Sequence, residues 1–349
     1  MDSVEVAIGI KSRLAVSVML RLATVMAVAF VLLAVAPAAE AQQPVGKVYR
    51  VGFLSISTLP YVEDFRQGLR DLGHVEGRTI VIEYRSAEGH HERLPNLAKE
   101  LLGLNVDLIV TTGGGPPALA VKAATKTMPV VFLAGDPVTG GLVSSLARPG
   151  GNLTGLDVFA NELDTKRLEL LKEALPRVSH VAFLRNPGGP GYNPRNPTGV
   201  AQRQRVETAA QALGVRLRIL GAQVPSEIDT AFAAMARERP DALLVVSDAM
   251  LTSQRRRIVE LAAQTRIPAM YPWREFVEAG GLMSYGTRLP DMYRRAATYV
   301  DKILKGAKPQ DLPVEQPTKF ELLINVRAAR ALGITIPQSL LMRADEIVQ

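Results

Sequence analysis

Two aspartates carry most of the chemistry this chain could do. Asp136 and Asp248 each stand just behind a short apolar run, Val130–Leu133 and Ala242–Val246, where a strand would deliver them to its carboxyl end. Other loops that follow apolar runs hold the hydroxyls of Ser55, Ser57 and Thr112, the backbone N–H groups of Gly113 and Gly114, and the Asn186 amide. Tyr271, Trp273 and Tyr285, with Tyr192 in a glycine- and proline-rich stretch, add aromatic surface. Together these suit a small polar molecule with an anionic group and an amine. Hydroxyls and N–H groups at a helix N-terminus take a carboxylate. Asp136 or Asp248 takes an ammonium, and Tyr271 and Tyr285 pack a ring or apolar tail.

Plainer readings stand beside these. Asp136 precedes Pro137 and suits a helix N-cap with proline in the first turn, and Asp248 is equally placed to cap the helix after its strand. Thr111–Gly115 is an anion cradle or a tight turn. Trp273 fits core or interdomain packing better than a stacking platform.

Several chemistries are excluded outright. The 349 residues contain no cysteine and four histidines, so thiolate nucleophiles, disulfides and histidine-rich metal centres do not arise. No G-x-S-x-G or H-E-x-x-H occurs, and Pro116-Pro117 stand where a nucleotide-binding loop needs Gly-Lys-Ser/Thr. Neither a catalytic residue, nor a cofactor, nor a metal is expected. With 47% hydrophobic and 21% charged residues, the chain is ordinary for a globular protein of about two domains. The net charge is +7, and Arg255-Arg256-Arg257 beside Glu260 reads as a solvated helix face.

An uncharged apolar run, Leu22–Ala39, follows Lys11, Arg13 and Arg21 and ends at Ala39-Glu40-Ala41, the small-residue spacing of a signal peptidase site. Residues 1–41 are therefore expected to be a signal peptide, cleaved after Ala41, with Met19 offering a shorter leader. An exported protein would meet no nucleic acid, so the basic balance does not point there.

Beyond the leader, strand and helix alternate. Strands are expected at Val48–Leu54, Thr79–Tyr84, Val106–Val110 and Val130–Leu133, with helices at Val62–Leu72, Leu94–Leu104 and Ala118–Thr125. The pattern restarts with strands at Val178–Leu184, Val215–Leu220, Ala242–Val246, Pro268–Met270 and Gly281–Tyr285. Helices at Val200–Leu213, Ser226–Arg237 and Gln254–Gln264 separate them, and Leu163–Leu175 bridges the halves. Helices at Asp291–Leu304 and Phe320–Leu332 complete the chain, flanking an extended Val314–Pro317. Short apolar runs between amphipathic helices signify parallel sheets covered on both faces. Two such units form two similar α/β domains rather than one sheet.

Val51-Gly52-Phe53-Leu54-Ser55, Phe65–Gly73 (FRQGLRDLG), Leu142–Gly151 (LVSSLARPGG), Asn152–Leu156 (NLTGL), Trp273–Gly281 (WREFVEAGG) and Gln316–Asn325 (QPTKFELLIN) carry a resemblance. In this order they resemble the ABC-transporter substrate-binding proteins of the tryptophan/tyrosine-type uptake family. The resemblance implies a type I periplasmic-binding-protein architecture: two Rossmann-like lobes with parallel sheets and three interlobe crossovers. Lobe 1 would comprise 47–157 plus 287–310, and lobe 2 would comprise 158–286 plus 311–349. It also implies a small-molecule solute, an inner-membrane ABC permease with its ATPase, a periplasmic location and a monomer. Gly115 departs from the Thr or Ser usual in similar proteins, and the Gly188–Arg195 loop is longer. The expectation is an exported solute-binding protein, not an enzyme, closing on an apolar or aromatic amino acid. Its rivals are a periplasmic ligand sensor for a receptor kinase and an exported α/β enzyme. Neighbouring genes would separate the first, and turnover the second.

Overall fold

The computed structural model describes residues 47–57, 61–159, 162–189 and 197–349. The expected leader and its cleavage site, Tyr192 and most of the 188–195 loop lie outside them. No helix among the described residues is long and apolar enough to cross a membrane.

Five strands form the first sheet: β1 (Tyr49–Ser55), β2 (Ile80–Ser86), β3 (Leu108–Thr112), β4 (Val130–Ala134) and β5 (Leu153–Asp157), in the order β2-β1-β3-β4-β5 and all parallel. Every residue of β3, β4 and β5 is buried, as their apolar runs require of strands covered on both faces. Helices α1 (Val62–Asp71), α2 (Leu94–Gly103) and α3 (Gly115–Ala124) connect them.

Seven strands form the second sheet: β6 (His180–Arg185), β7 (Arg216–Gly221), β8 (Ala242–Val245), β9 (Ala269–Tyr271), β10 (Met283–Thr287), β11 (Phe320–Asn325) and β12 (Glu346–Val348). Their order is β12-β11-β10-β9-β8-β6-β7, parallel except for β10 against β11. Helices α4 (Asp164–Ala174), α5 (Pro197–Ala212), α6 (Pro225–Glu238), α7 (Ala249–Ser253), α8 (Arg255–Gln264) and α9 (Arg274–Glu278) accompany it.

The chain passes between the sheets three times. It leaves β5 for α4 and leaves β10 for α10 (Leu289–Leu304), which packs on α1. It then returns through residues 312–319 to β11. Gly68 permits the second pass, because a Cβ there would lie 2.8 Å from the Arg294 carbonyl oxygen and 2.9 Å from the Ala297 Cβ. The third pass runs along β5: Asp157 N–H donates to the Glu315 carbonyl at 2.9 Å, and Glu315 N–H to that of Gly155 at 3.1 Å. Side chains tie the passes together. Thr287 Oγ1 donates to the Val158 carbonyl at 3.1 Å, and Gln316 Nε2 donates to Asp157 Oδ2 at 3.1 Å. One buried apolar cluster continues from Phe53 and Phe65 beside the first sheet to Phe183, Leu244 and Trp273 beside the second.

Three sequence expectations need correction. Phe320–Leu332 is not one helix. Phe320–Asn325 is an edge-side antiparallel strand, and only Val326–Leu332 (α11) is helical, capped by Asn325 Oδ1 accepting the Ala328 N–H at 2.9 Å. Leu322-Leu323-Ile324 is too short an apolar run for periodicity to separate strand from helix. Leu153–Asp157, read as no element, is the fifth strand. Finally, no helix follows Asp136: Pro137–Gly141 is turn, and Asp136 itself takes φ 51°.

Candidate functional site

In each sheet the strand order reverses at one point, between β1 and β3 in the first and between β6 and β8 in the second. Ligands of open α/β sheets bind beyond the carboxyl ends of the strands at such points. Ser55, Ser57, Thr112, Gly113 and Gly114 follow β1 and β3. Asn186 and Asp248 follow β6 and β8.

At the first reversal Ser55 is buried and its Oγ donates to the Ser57 carbonyl at 2.5 Å, turning the chain off β1. Ser57 Oγ is buried without a hydrogen-bond partner. The buried Thr112 hydroxyl bonds the Tyr293 hydroxyl of α10. Gly113 has φ 87°, and a Cβ there would lie 2.3 Å from Ile56 Cγ2, so two loops converge where only glycine fits. Gly114 stands at the N-cap of α3 with φ 102°. Pro116 and Pro117 in the first turn offer no N–H, so an anion here would depend on the amides of Gly113–Gly115.

At the second reversal Asp248 is the N-cap of α7. Its Oδ1 accepts the Met250 N–H at 2.9 Å and the Leu251 N–H at 3.1 Å, and its Oδ2 accepts Asn186 Nδ2 at 3.2 Å. Asn186 Oδ1 accepts the Gly188 N–H at 2.9 Å. Burial pushes the Asp248 carboxyl up, while these donors and His91, from beyond β2, pull it back. The expected cap is present, and the carboxylate already has three donors.

The other expected site residues scatter. Asp136, half-buried beyond β4, supplies backbone that helps hold the carboxylate of Asp157, which burial nevertheless raises. Tyr271 lies in the core of the second sheet, stacked on Phe276 at 4.8 Å, and a Cβ on Gly281 would meet its ring at 2.6 Å. Tyr285 sits at the second pass, its ring 6.1 Å from Phe320 and its carbonyl accepting Arg167 Nε at 2.7 Å. Trp273 is buried beneath the Arg167 guanidinium, which lies 5.8 Å from the ring centroid.

Sequence reasoning missed a further group. Tyr61, before α1, is only 3% exposed; its ring lies 5.1 Å from that of Tyr293, and its hydroxyl interacts with the Glu275 side chain. Glu275, the second residue of α9, is 8% exposed and leaves Oε2 without a partner. These two side chains come from opposite sheets and face each other. Burial first, then the nearby carboxylate, pushes the Tyr61 phenol far up, and burial raises Glu275. The buried Tyr84 hydroxyl, on β2, is also unpartnered. No spacing marks these residues; Glu275 looks like any acidic residue in a helix's first turn.

The carboxyl ends of both sheets thus meet. His91 acts on Asp248, Tyr61 faces Glu275, and Ala249 packs against the apolar cluster around β3 and β4. Two α/β lobes with three passes and polar, partly unsatisfied loops between them define a two-lobe binding protein. The chain belongs to the ABC transporter substrate binding protein family, whose model matches residues 56–348, and this is a family of binding proteins rather than enzymes. It is 26% identical over 271 residues to a tyrosine-binding protein of Clostridioides difficile (strain R20291), spanning 77% of this chain and 75% of that one. Among solved structures it is similar to a conserved domain protein of Vibrio cholerae, with TM-score 0.78 and 31% identity, covering 86% of this chain and 100% of the other. It is also similar to an ABC domain of Streptococcus pneumoniae in complex with L-Trp, with TM-score 0.76 and 26% identity over 86% and 99% of the two chains.

Proposed function

We propose that this chain is an exported, monomeric solute-binding protein that closes on an aromatic or apolar amino acid and presents it to an inner-membrane ABC permease with its ATPase. The observation that carries this reading is the pairing of the two strand-order reversals. One offers hydroxyls and glycine amides, the other a carboxamide and a carboxylate, and both ends are buried together. Relatives described as binding tyrosine and L-Trp support the amino-acid class.

The lobes are proposed as 47–157 plus 287–310, and 158–286 plus 311–349, with the 312–316 strip lying along the first. In this reading Ser55, Ser57, Thr112, Gly113 and Gly114 receive the ligand carboxylate. The second lobe closes from Asn186 and Asp248, while Asp136, Tyr271 and Tyr285 shape the surroundings. Binding then stabilises the closed form because only that form contacts the ligand from both lobes.

A thermal-shift screen of amino acids, aromatic acids, sugars and purines tests it. Ligand at ~100 times its dissociation constant adds about 2.7 kcal/mol, a melting shift of roughly 5–10 °C for a protein of this size. A sugar or purine as the only hit defeats the amino-acid reading. Export is tested by sequencing the N-terminus of secreted protein, which should begin at Gln42; a leader retained in the membrane fraction refutes it.

A further inference from the structure

The second sheet carries a cavity at the end away from the first lobe's loops. Ala269 opens β9, Gly280–Leu282 lead into β10, and Asn325 and Val348 stand at the ends of β11 and β12. A pocket lined by all of them therefore lies at the amino ends of β9 and β10, opposite the carboxyl ends that form the cleft. Its volume is about 390 Å³, the size of a small-molecule site. Val259 and Ala262 of α8, Ile267, and Leu332 of α11 give it aliphatic walls. Tyr271 also lines it. The Tyr271 backbone ends β9 on the cleft side, but the ring turns back over Gly281, where a Cβ would lie 2.6 Å from Cε2 and 2.7 Å from the Phe276 carbonyl oxygen. Tyr271 is 1% exposed, its hydroxyl has no hydrogen-bond partner among the described residues, and burial alone pushes the phenol up. Two cations complete the lining. Arg266, in the turn between α8 and β9, and Arg327, in the first turn of α11, have no carboxylate partner among the described residues. Arg266 reaches only the Ala331 carbonyl, at 3.5 Å. Glu278, the acidic side chain of the lining, is held by Arg274 at 2.8 Å.

We propose that this cavity is a second ligand site, separate from the interlobe cleft, and that it takes a small amphiphilic organic anion: an apolar body carrying one carboxylate. Three features ask for the same chemistry. The aliphatic walls gain from covering an apolar body. Arg266 and Arg327 bring two unneutralised charges to one pocket, which favours an anion and disfavours a cation. The Tyr271 hydroxyl is a donor set among apolar groups and left without an acceptor, the arrangement by which such pockets orient a ligand. An acceptor oxygen on the ligand meets that need. A zwitterionic amino acid would bring its ammonium toward two guanidiniums, so this pocket does not duplicate the cleft. The cleft reading and this site stand or fall separately.

Calorimetric titration of the full mature protein with octanoate, octan-1-ol and octylammonium tests the assignment. The wild-type protein is expected to bind octanoate saturably at one site, octan-1-ol more weakly and octylammonium most weakly. The double variant Arg266→Gln/Arg327→Gln should weaken octanoate by about 3- to 30-fold, the worth of two exposed charge contacts, and leave octan-1-ol unchanged. Tyr271→Phe should weaken octanoate by ~2- to 10-fold, the worth of one hydrogen bond. Ala263→Trp, at an exposed position of α8 that lines the pocket, fills the cavity and should abolish binding. Thermal melting of each variant separates a lost site from a lost fold, and if Ala263→Trp does not fold, the arginine and tyrosine variants decide. Asp248→Asn, in the cleft, should leave octanoate affinity as it was. The proposal is overturned if wild-type protein shows no saturable octanoate binding or prefers octylammonium. It is equally overturned if octanoate still binds folded Ala263→Trp, or if Asp248→Asn abolishes binding while the pocket variants retain it.

Discussion

Removing the guanidinium of Arg167 is expected to be among the most destabilising single changes in this fold. Arg167 and Asp164 are one helical turn apart on α4, both 0% exposed, with Nη1 to Oδ1 at 2.6 Å. Arg167 also donates from Nε to the Tyr285 carbonyl at 2.7 Å and from Nη2 to that of Pro272 at 3.4 Å. It therefore joins the first pass between the lobes to β9 and β10. In Arg167→Met the Asp164 carboxylate stays buried after losing its counter-ion, which costs about 3–5 kcal/mol. At ~2–4 °C per kcal/mol the melting temperature should fall by roughly 6–20 °C. The companion Arg167→Met/Asp164→Leu removes both charges and should recover most of the loss, because paired deletion of a buried ion pair is close to neutral. Urea denaturation of the wild type, both single variants and the double variant gives the coupling directly. A loss under ~1 kcal/mol in the single variant would mean that water reaches Asp164, and the burial argument would fail.

Other substitutions probe separate links. Gly155→Ala places a Cβ 2.0 Å from the Phe132 carbonyl oxygen of the adjacent strand; backbone cannot yield cheaply, so a loss of about 3 kcal/mol is expected in denaturant melts, and a neutral variant would show β5 sitting further from β4. Asp248→Ala removes the α7 cap and should cost ~1 kcal/mol without ligand; an unchanged midpoint would mean the cap contributes nothing. Asp157 has its pKa raised chiefly by burial, so ionisation opposes folding. The penalty is absent below the unfolded value of ~3.9 and complete above the folded one. The stability of Asp157→Asn relative to wild type should therefore improve as pH rises from about 4 to 7, and a difference independent of pH would show no shift at that carboxyl.

Much of the α/β order was legible because a buried parallel strand must be an apolar run, and this chain punctuates its runs with glycine and proline. Val130–Ala134 and Ala242–Val245 announce themselves in this way. Leu153-Thr154-Gly155-Leu156-Asp157 does not, although all five residues are buried. Its polar members are satisfied from outside the sheet. Thr154 Oγ1 donates to the Leu312 carbonyl at 2.6 Å, and Asp157 accepts from Phe159 and Gln316. Leu312 and Gln316 arrive with a much later segment of the chain, so no local window contains them. The same holds for α10: its amphipathic face is visible locally, but the surface that receives it, with Gly68 at the close approach to Arg294 and Ala297, lies more than two hundred residues earlier.

The site divides along the same line. Strand ends are a one-dimensional property, so Ser55, Thr112, Asn186 and Asp248 can be assigned to loop ends from the order of elements alone. Side-chain direction at the last residue of a strand is not. Tyr271 ends β9, yet its ring turns into the core because Gly281 and Phe276 leave a slot there. Asp248 follows its strand as Asp136 does, but Ala249–Ser253 is helical and claims the carboxylate as a cap, whereas the turn after Asp136 makes no such claim. Tyr61 and Glu275 carry no signal at either end of their pairing. Each is an ordinary residue near the start of a helix, and their pairing exists only once the two sheets are brought together. A buried pair drawn from opposite sheets is a property of the assembled fold, and for that reason it is visible in three dimensions and not in one.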